Sequence, residues 1–310
     1  MKTHSREISV VAALAAALAT LAIFAPSFFE PQPLRSLATR EAPALVVACG
    51  MALVVICRQI DISVGSQFAL CSVGGGLLAA AKWPLALVVP ASIALGAGLG
   101  AFNGVLVAGL GLPSIVVTLA TMVAWREGLR WLRQGEFVNL PDGVQWFGLS
   151  QSVGQWTVIF SAAALVVALA FGTRHIVAGR FLYAVGSDRE AARLAGIPPG
   201  RVTLGAFVLL GALTGLAAIM NLAQSPQVDP KAGTGLELKV IAGVVIGGVA
   251  VSGGRGTLWG VLAGALLLGC VGPALTHLHF QPYWEKAIQG GVILLAVVAD
   301  GMQTARRSGK

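Results

Sequence analysis

The sequence predicts an all-α, polytopic membrane protein with about ten transmembrane helices. Hydrophobic residues make up 56% of the 310-residue chain and charged residues only 11%, whereas a soluble domain carries about 25% charged residues. The mean hydropathy is +0.82. Because so few charges cannot cover a water-exposed surface, most of the surface must face lipid. The composition therefore excludes a soluble globular fold and intrinsic disorder.

Charged residues divide the chain into apolar segments of the length that membrane spans require. A bilayer core about 30 Å thick needs about 20 helical residues. Residues 83–125 have room for two spans, and we place the break at 109–113, where two glycines and a proline occur. The two shortest segments, 240–254 and 287–299, either borrow flanking residues or enter the membrane without crossing it. The ten predicted spans lie in residues 8–29, 42–57, 62–81, 83–125 (two spans), 143–173, 202–228, 240–254, 257–284 and 287–299.

The positions of arginine and lysine predict the orientation of the spans. Cytoplasmic loops of membrane proteins are enriched in these residues. Five arginines lie in residues 174–201, and the C-terminal residues 301–310 are also basic. Both segments are cytoplasmic if six spans precede residue 174 and the total is even. We therefore predict that both termini are cytoplasmic. The net charge of +8 reflects this topology rather than a nucleic-acid partner.

A short internal similarity suggests that the chain, treated as one transmembrane domain over residues 1–310, has two related halves. The segment GAFNGVL, which contains Gly100 and Gly104, resembles GTLWGVL, which contains Gly256 and Gly260. Two halves of five spans each would form inverted repeats, as in many transporters. Alternatively, both segments are G-x-x-x-G motifs that only pack helices together. The sequence leaves both interpretations open.

The chain lacks the motifs of the common catalytic and metal sites. It contains no G-x-x-x-x-G-K-[ST] loop, no H-E-x-x-H helix and no G-x-S-x-G turn. The four cysteines lie in apolar stretches without C-x-x-C spacing. We therefore expect no metal, no cofactor and no enzymatic activity. Carboxylates inside the spans are scarce, whereas proton-driven carriers need them, so the energy source should lie on another chain.

A short helix is predicted in the cytoplasmic loop of residues 174–201. Ser187 and Glu190 have the spacing of a capping box, and Asp188 complements the positive helix N-terminus. Gly196, followed by two prolines, ends the helix, which should span residues 188–195. It could dock as a peg in the groove of a partner or lie at the membrane interface with its arginines reaching water.

Five blocks of the sequence resemble the permeases of ATP-binding-cassette importers, in the monosaccharide branch typified by ribose permeases. Two smaller segments, R-Q-I-D at 58–61 and P-Y-W at 282–284, look most like rhamnose and autoinducer-2 permeases. The five blocks are I-D-I-S-V-G-S (60–66), G-A-F-N-G-V-L-V (100–107) with P-S-I-V-V-T-L (113–119), G-R-F-L-Y-A-V-G (179–186), the E-A-A…G element (190–196) and G-L-E-L-K (235–239) with I-G-G (246–248).

This resemblance implies a permease that carries a monosaccharide or related polyol across the bacterial inner membrane by alternating access. It implies separate cytoplasmic ATPase subunits, a periplasmic sugar-binding protein and a second permease subunit. The alternative from a different class is a secondary sugar carrier driven by an ion gradient. By the resemblance, the residues that couple the pore to the ATPase would be Ser187, Asp188, Arg189, Glu190, Ala191, Ala192 and Gly196.

A polar face of the fifth span is the candidate substrate pathway. Ser114, Thr118, Thr121 and Trp125 recur at intervals of three and four residues and so share one helix face. Hydroxyls beside an aromatic ring suit a polyol, and Asn103 is a further candidate. Alternatively, these side chains bond their own helix or a neighbour. The candidate structural residues are Asp61, which we expect to cap the third span, Gly65, Gly100 and Gly104.

Overall fold

The chain is almost entirely helical. The computed structural model describes residues 4–277, 281, 284–288, 290, 291 and 294. Two strands of two residues, β1 (Val138–Asn139) and β2 (Gln227–Val228), pair antiparallel. The helices are α1 (His4–Phe24), α2 (Pro31–Ile56), α3 (Val64–Ala80), α4 (Leu85–Gly104), α5 (Ser114–Arg133), α6 (Gln151–His175), α7 (Val177–Ser187), α8 (Arg189–Leu194), α9 (Pro199–Leu222), α10 (Leu236–Ile246) and α11 (Leu258–His277).

Five helices in the described part of the chain are long and apolar enough to cross a membrane. They are α2, α4 with its π-helical continuation (Val105–Gly109), α6, α9 and α11, and shorter apolar helices occur at Ser9–Phe24 and in α3. The prediction of an all-α polytopic membrane protein is therefore confirmed. Most of the predicted tenth span, residues 287–299, lies outside the described residues.

The boundaries of the spans agree with the sequence in some places and differ in others. The break at 109–113 is confirmed, because the π-helical segment ends at Gly109 and α5 begins at Ser114. The segment 240–254 contains only the end of α10, whose 11 residues rise about 16 Å, so this segment does not cross as one helix. The loop of residues 174–201 holds two helices, α7 and α8.

Helix α2 forms the centre of the bundle. Its residues 46–56 are almost completely buried, and it packs against α6, α9, α10 and α11. In contrast, α4 and α6 expose large apolar side chains, including Phe102, Phe160 and Phe171. Apolar residues exposed in this way are suited to lipid contact, whereas the continuous apolar sequence of α2 is explained by burial on all sides.

Glycines bring α4 and α9 into direct backbone contact. A Cβ atom added at Gly96 would overlap the carbonyl oxygen of Gly211, and one added at Gly100 would overlap that of Phe207. Such small-residue contacts allow close helix approach in membranes.

The two glycine segments that resemble each other in sequence can be compared in the structure. Gly256 differs from Gly100, because Gly256 lies in the loop before α11 with φ +142°. The two segments that resemble each other in sequence therefore have different local structures.

Candidate coupling and transport sites

Helix α8 is the short helix predicted in the loop of residues 174–201, but its N-cap is Asp188 rather than Ser187. One carboxylate oxygen of Asp188 accepts the backbone N–H groups of Glu190 and Ala191, both at 2.9 Å. These two hydrogen bonds lower the pKa of Asp188 below its usual value, so the ionised cap persists at neutral pH. The predicted capping box is wrong, because Ser187 is the last residue of α7 and Glu190 pairs with Arg193 at 2.6 Å.

The C-terminal end of α8 agrees with the prediction. Gly196 has φ +82°, a conformation that glycine adopts without steric cost. Its N–H donates to the carbonyl of Arg193, and the N–H of Ile197 donates to the carbonyl of Ala192, both at 3.0 Å. These two bonds form a Schellman motif. The helix therefore ends at Leu194, one residue before the predicted end.

Every residue of α8 except Ala192 is exposed. Ala192 is buried against the rest of the chain, whereas Leu194 is 78% exposed. A large apolar side chain at the tip of a capped helix is suited to burial in a partner groove. The other exposed side chains of α8 are Arg189, Glu190, Ala191 and Arg193.

The residues that precede α8 are joined to the end of α2. A Cβ atom added at Gly186 would overlap the carbonyl oxygen of Ile56, which also accepts the N–H of Gly254 at 2.9 Å. The guanidinium of Arg58 donates to the carbonyl oxygen of Ser187 at 2.5 Å. The end of α7, which leads directly into α8, is therefore in contact with the C-terminal end of the central helix.

Asp61 lies at the centre of a buried hydrogen-bond cluster just after α2. Its carboxylate accepts the backbone N–H of Ser63 at 2.8 Å and the hydroxyl of Ser63 at 2.6 Å. The amide groups of Gln67 and Asn103 also donate to it, at 3.0 and 3.3 Å. The expectation that Asp61 caps the third span is wrong, because α3 begins at Val64 with Ser63 at its N-cap position and no side-chain cap. Asp61 instead joins α3 and α4.

The predicted polar face of α5 packs against this cluster. The hydroxyl of Thr118 donates to the Ser114 carbonyl of its own helix at 2.8 Å, and the Ser114 hydroxyl accepts the backbone N–H of Ile60 at 3.3 Å. Thr121 donates to the carbonyl of Thr118 at 3.3 Å, and the half-buried Trp125 ring is 6.1 Å from the Phe102 ring. Their role in a pathway stays a prediction, as does that of Asn103.

Two largely buried ion pairs were not predicted from the sequence, in which carboxylates inside the spans are scarce. Glu41 and Lys239 are 2.6 Å apart, with side chains 11% and 22% exposed. Glu41 lies inside the membrane helix, because α2 begins at Pro31 rather than at 42. Arg126 and Glu237 are 4.0 Å apart. The available signal was the G-L-E-L-K block, which holds both Glu237 and Lys239.

The Arg126–Glu237 pair lies where α3 and α10 begin. The guanidinium of Arg126 donates to the hydroxyl of Thr234 at 2.6 Å. A Cβ atom added at Gly65 would overlap both the carboxylate of Glu237 and the carbonyl oxygen of Gly233. Only a glycine at position 65 permits this approach of the two segments.

A cavity of about 660 Å³ lies between α2, α9, α10 and α11. We call it the polar cavity. It lies toward the C-terminal ends of α9 and α11, away from α8, which precedes the N-terminus of α9. Glu41 and Lys239 also border a second, apolar cavity of about 490 Å³ beside α1 and α6, so this ion pair separates the two. The polar side chains that line the polar cavity are Arg40, Glu41, Asn221, Lys239, Thr276 and Glu285.

Comparison with known proteins identifies the family. Residues 34–297 match the family described as branched-chain amino acid transport system / permease component. The ribose import permease of Escherichia coli K12 is 33% identical over 93% of this chain and 91% of its own length. The autoinducer 2 import permease of Enterobacter sp. strain 638 is 34% identical, over 97% and 89%. The L-arabinose ABC transporter permease of Azospirillum brasilense is 34% identical, over 93% and 86%.

No solved structure matches the chain. The similarity to the curated permeases nevertheless extends over nearly all of its length. Permease subunits of this kind leave ATP hydrolysis to a separate subunit, which agrees with the prediction that the chain is not an enzyme. The chain therefore belongs to this family of transport-system permease components and is the membrane permease subunit of an ATP-binding-cassette importer.

Proposed function

We propose that this permease carries a monosaccharide or a related polyol, of the ribose, rhamnose or autoinducer-2 type. The observation that carries the proposal is the alignment, over 93% or more of the chain, with relatives named for the import of ribose, L-arabinose and autoinducer 2. The polar cavity supports it, since hydrogen-bonding side chains inside a membrane bundle mark substrate pathways. The function is import by alternating access across the bacterial inner membrane.

The proposed subunit has about ten membrane segments in two inverted halves of five, of which the segment 240–254 enters the membrane without crossing it as one helix, and both termini lie in the cytoplasm. Support comes from α3 and α10, two short helices whose N-terminal regions meet where Gly65, in the first turn of α3, approaches Gly233, which lies just before α10. Interrupted or short helices that begin near the middle of the membrane are typical of transporters built from inverted repeats. Its partners are cytoplasmic ATPase subunits, a periplasmic sugar-binding protein and a second permease subunit.

The mechanism that we propose starts at α8. Movement of the ATPase subunits displaces α8, and the Ser187–Arg58 and Gly186–Ile56 contacts transmit the displacement to the end of α2. The Asp61 cluster then carries it to α3 and α4, and the contact between Ile60 and Ser114 carries it to α5. Rigid-body rearrangement of packed helices of this kind switches access between the two sides of a membrane.

Transport by the reconstituted importer tests the proposed function. Proteoliposomes that contain the permease, its cognate ATPase and the binding protein should accumulate a labelled pentose only when ATP is supplied. Proteoliposomes that contain the permease alone are the control and should not accumulate it. Accumulation by the permease alone under an ion gradient would contradict the proposal and favour a secondary carrier.

Replacing Leu194 with aspartate should detach the ATPase. An apolar side chain buried on docking contributes about 1.5–3 kcal/mol, so its loss should weaken co-purification of the ATPase about tenfold or more. Leu149→Asp is the matched control, because Leu149 is also exposed and lies just before the start of α6, away from α8. Equal co-purification of the two variants would show that α8 does not dock through this side chain.

A further inference from the structure

We infer that the polar cavity is the chamber that receives the substrate, and that it is built for a neutral, polyhydroxylated ligand rather than an ionic one. This inference rests on the proposed function and adds the location and charge class of the binding site. The cavity volume of about 660 Å³ lies within the range of about 300–1,000 Å³ that is usual for small-molecule sites. The chamber lies on the side of the bundle away from α8, where a substrate would arrive.

The charges that line the cavity balance. Two side chains are cationic, Arg40 and Lys239, and two are anionic, Glu41 and Glu285. Glu41 is within 2.6 Å of Lys239 and within 3.7 Å of Arg40. The Arg40 side chain is 62% exposed and solvated, so the shielded cation is Lys239. An anionic ligand would have to compete with Glu41 for Lys239, and a cationic ligand would have to displace Lys239 from Glu41. Breaking a largely buried ion pair is unfavourable, so a ligand with a net positive or net negative charge gains little here.

A neutral polyol can bind without breaking the Glu41–Lys239 pair. The carboxylate of Glu41 accepts hydrogen bonds, the ammonium of Lys239 donates them, and the amide of Asn221 does both. Each hydroxyl of a sugar is likewise both donor and acceptor, so adjacent hydroxyls can bridge the two members of the pair. Thr276 adds a hydroxyl to the same wall.

Apolar groups complete the chamber. Phe68, Pro43 and Leu236 line it together with the polar side chains. A monosaccharide presents hydroxyls around its edge and C–H groups on its faces, so it needs polar and apolar wall elements in one cavity. Ligand sites usually combine predominantly apolar walls with a few placed polar groups. The second cavity, beside α1 and α6, lacks this mixture and is lined almost entirely by apolar side chains.

Protection of a cysteine placed in the chamber tests this inference. Asn221→Cys lies in the wall of the cavity, and the four native cysteines are buried, so a membrane-impermeant thiol reagent should label the introduced residue selectively. In the assembled transporter, a transported neutral pentose at about ten times its dissociation constant should slow this labelling about tenfold. Ribose 5-phosphate at the same concentration should not slow it. Asn139→Cys, on the exposed strand β1 outside the cavity, is the control that sugar should not protect.

The outcomes separate this inference from the proposed function. If the wild-type transporter takes up a pentose and the same pentose leaves the labelling of Asn221→Cys unchanged, the polar cavity is not the substrate site, but the proposed function is still supported. Protection by ribose 5-phosphate equal to that by the pentose would overturn the neutral-ligand assignment. A third outcome is that leucine is transported and slows the labelling of Asn221→Cys, whereas no sugar is transported and no sugar slows the labelling. In that case both the sugar function and the assignment of the chamber to a polyol are wrong.

Discussion

Replacing Gly211 with leucine should separate α4 from α9 and prevent the chain from folding stably. A Cβ atom at Gly211 would overlap the backbone carbonyl oxygen of Gly96 on the facing helix. A flexible side chain could turn away from such a clash, but a backbone carbonyl can move only if the whole helix moves. Overpacking commonly costs about 1–3 kcal/mol, and more where backbones are forced apart. This destabilisation affects the contact between α4 and α9, which is one of the most extensive helix contacts in the described bundle.

The measurement is thermal unfolding of the purified variants in detergent. Gly211→Leu should lower the apparent melting temperature by about 10 °C or give only aggregated protein. Gly205→Leu, also on α9, is the matched control, because an added Cβ atom there meets nothing within 4 Å. A melting temperature of Gly211→Leu equal to that of Gly205→Leu would show that α4 and α9 do not pack through their glycines.

Replacing Asp61 with alanine should also be severely destabilising, for a different reason. The change removes the acceptor of hydrogen bonds from Ser63, Gln67 and Asn103, all of which are fully buried. The amides of Gln67 and Asn103 keep the Ser63 hydroxyl as an acceptor, whereas the backbone N–H of Ser63 loses its partner. A buried donor left without a partner costs about 1–3 kcal/mol. Because these groups join α3 and α4, the change should reduce transport as well as stability.

Two further variants make this prediction specific. Asp61→Asn keeps the shape and one acceptor oxygen, so its stability should lie between those of wild type and Asp61→Ala. Asp142→Ala removes an exposed aspartate from a loop and should leave both the melting temperature and pentose uptake unchanged. If Asp61→Ala unfolds at the same temperature as Asp142→Ala, the cluster does not stabilise the bundle.

Local sequence signals predicted some features of α8 and not others. Its C-terminal end was predictable, because a Schellman motif needs only a glycine at the right position and a few neighbouring backbone groups. The N-cap was misplaced by one residue, because Ser187 and Asp188 are both good capping residues. The choice between them depends on where α7 ends, and α7 is held by contacts of Gly186 with α2 and with the loop before α11.

The surroundings of the polar residues in the bundle were also only partly predictable from the sequence. The spacing of Ser114, Thr118 and Thr121 correctly placed them on one helix face, but the spacing cannot tell whether that face meets a cavity or another helix. The structure places Ser114 and Thr118 against the loop that holds Ile60. The pairing of Glu41 with Lys239 was beyond the reach of any local pattern, because the two residues lie on helices that are far apart in the sequence.

The amino-acid sequence by itself determined that this protein spans a membrane with many helices, that it belongs among importer permeases and that it carries a short capped helix in a basic loop. These properties depend on composition, on runs of apolar residues and on motifs a few residues long. Only the tertiary structure decided which charged groups are buried together, which glycines touch another backbone and where a cavity remains. Those properties depend on contacts between helices distant in sequence, and hydropathy and spacing along one chain do not specify which helices become neighbours.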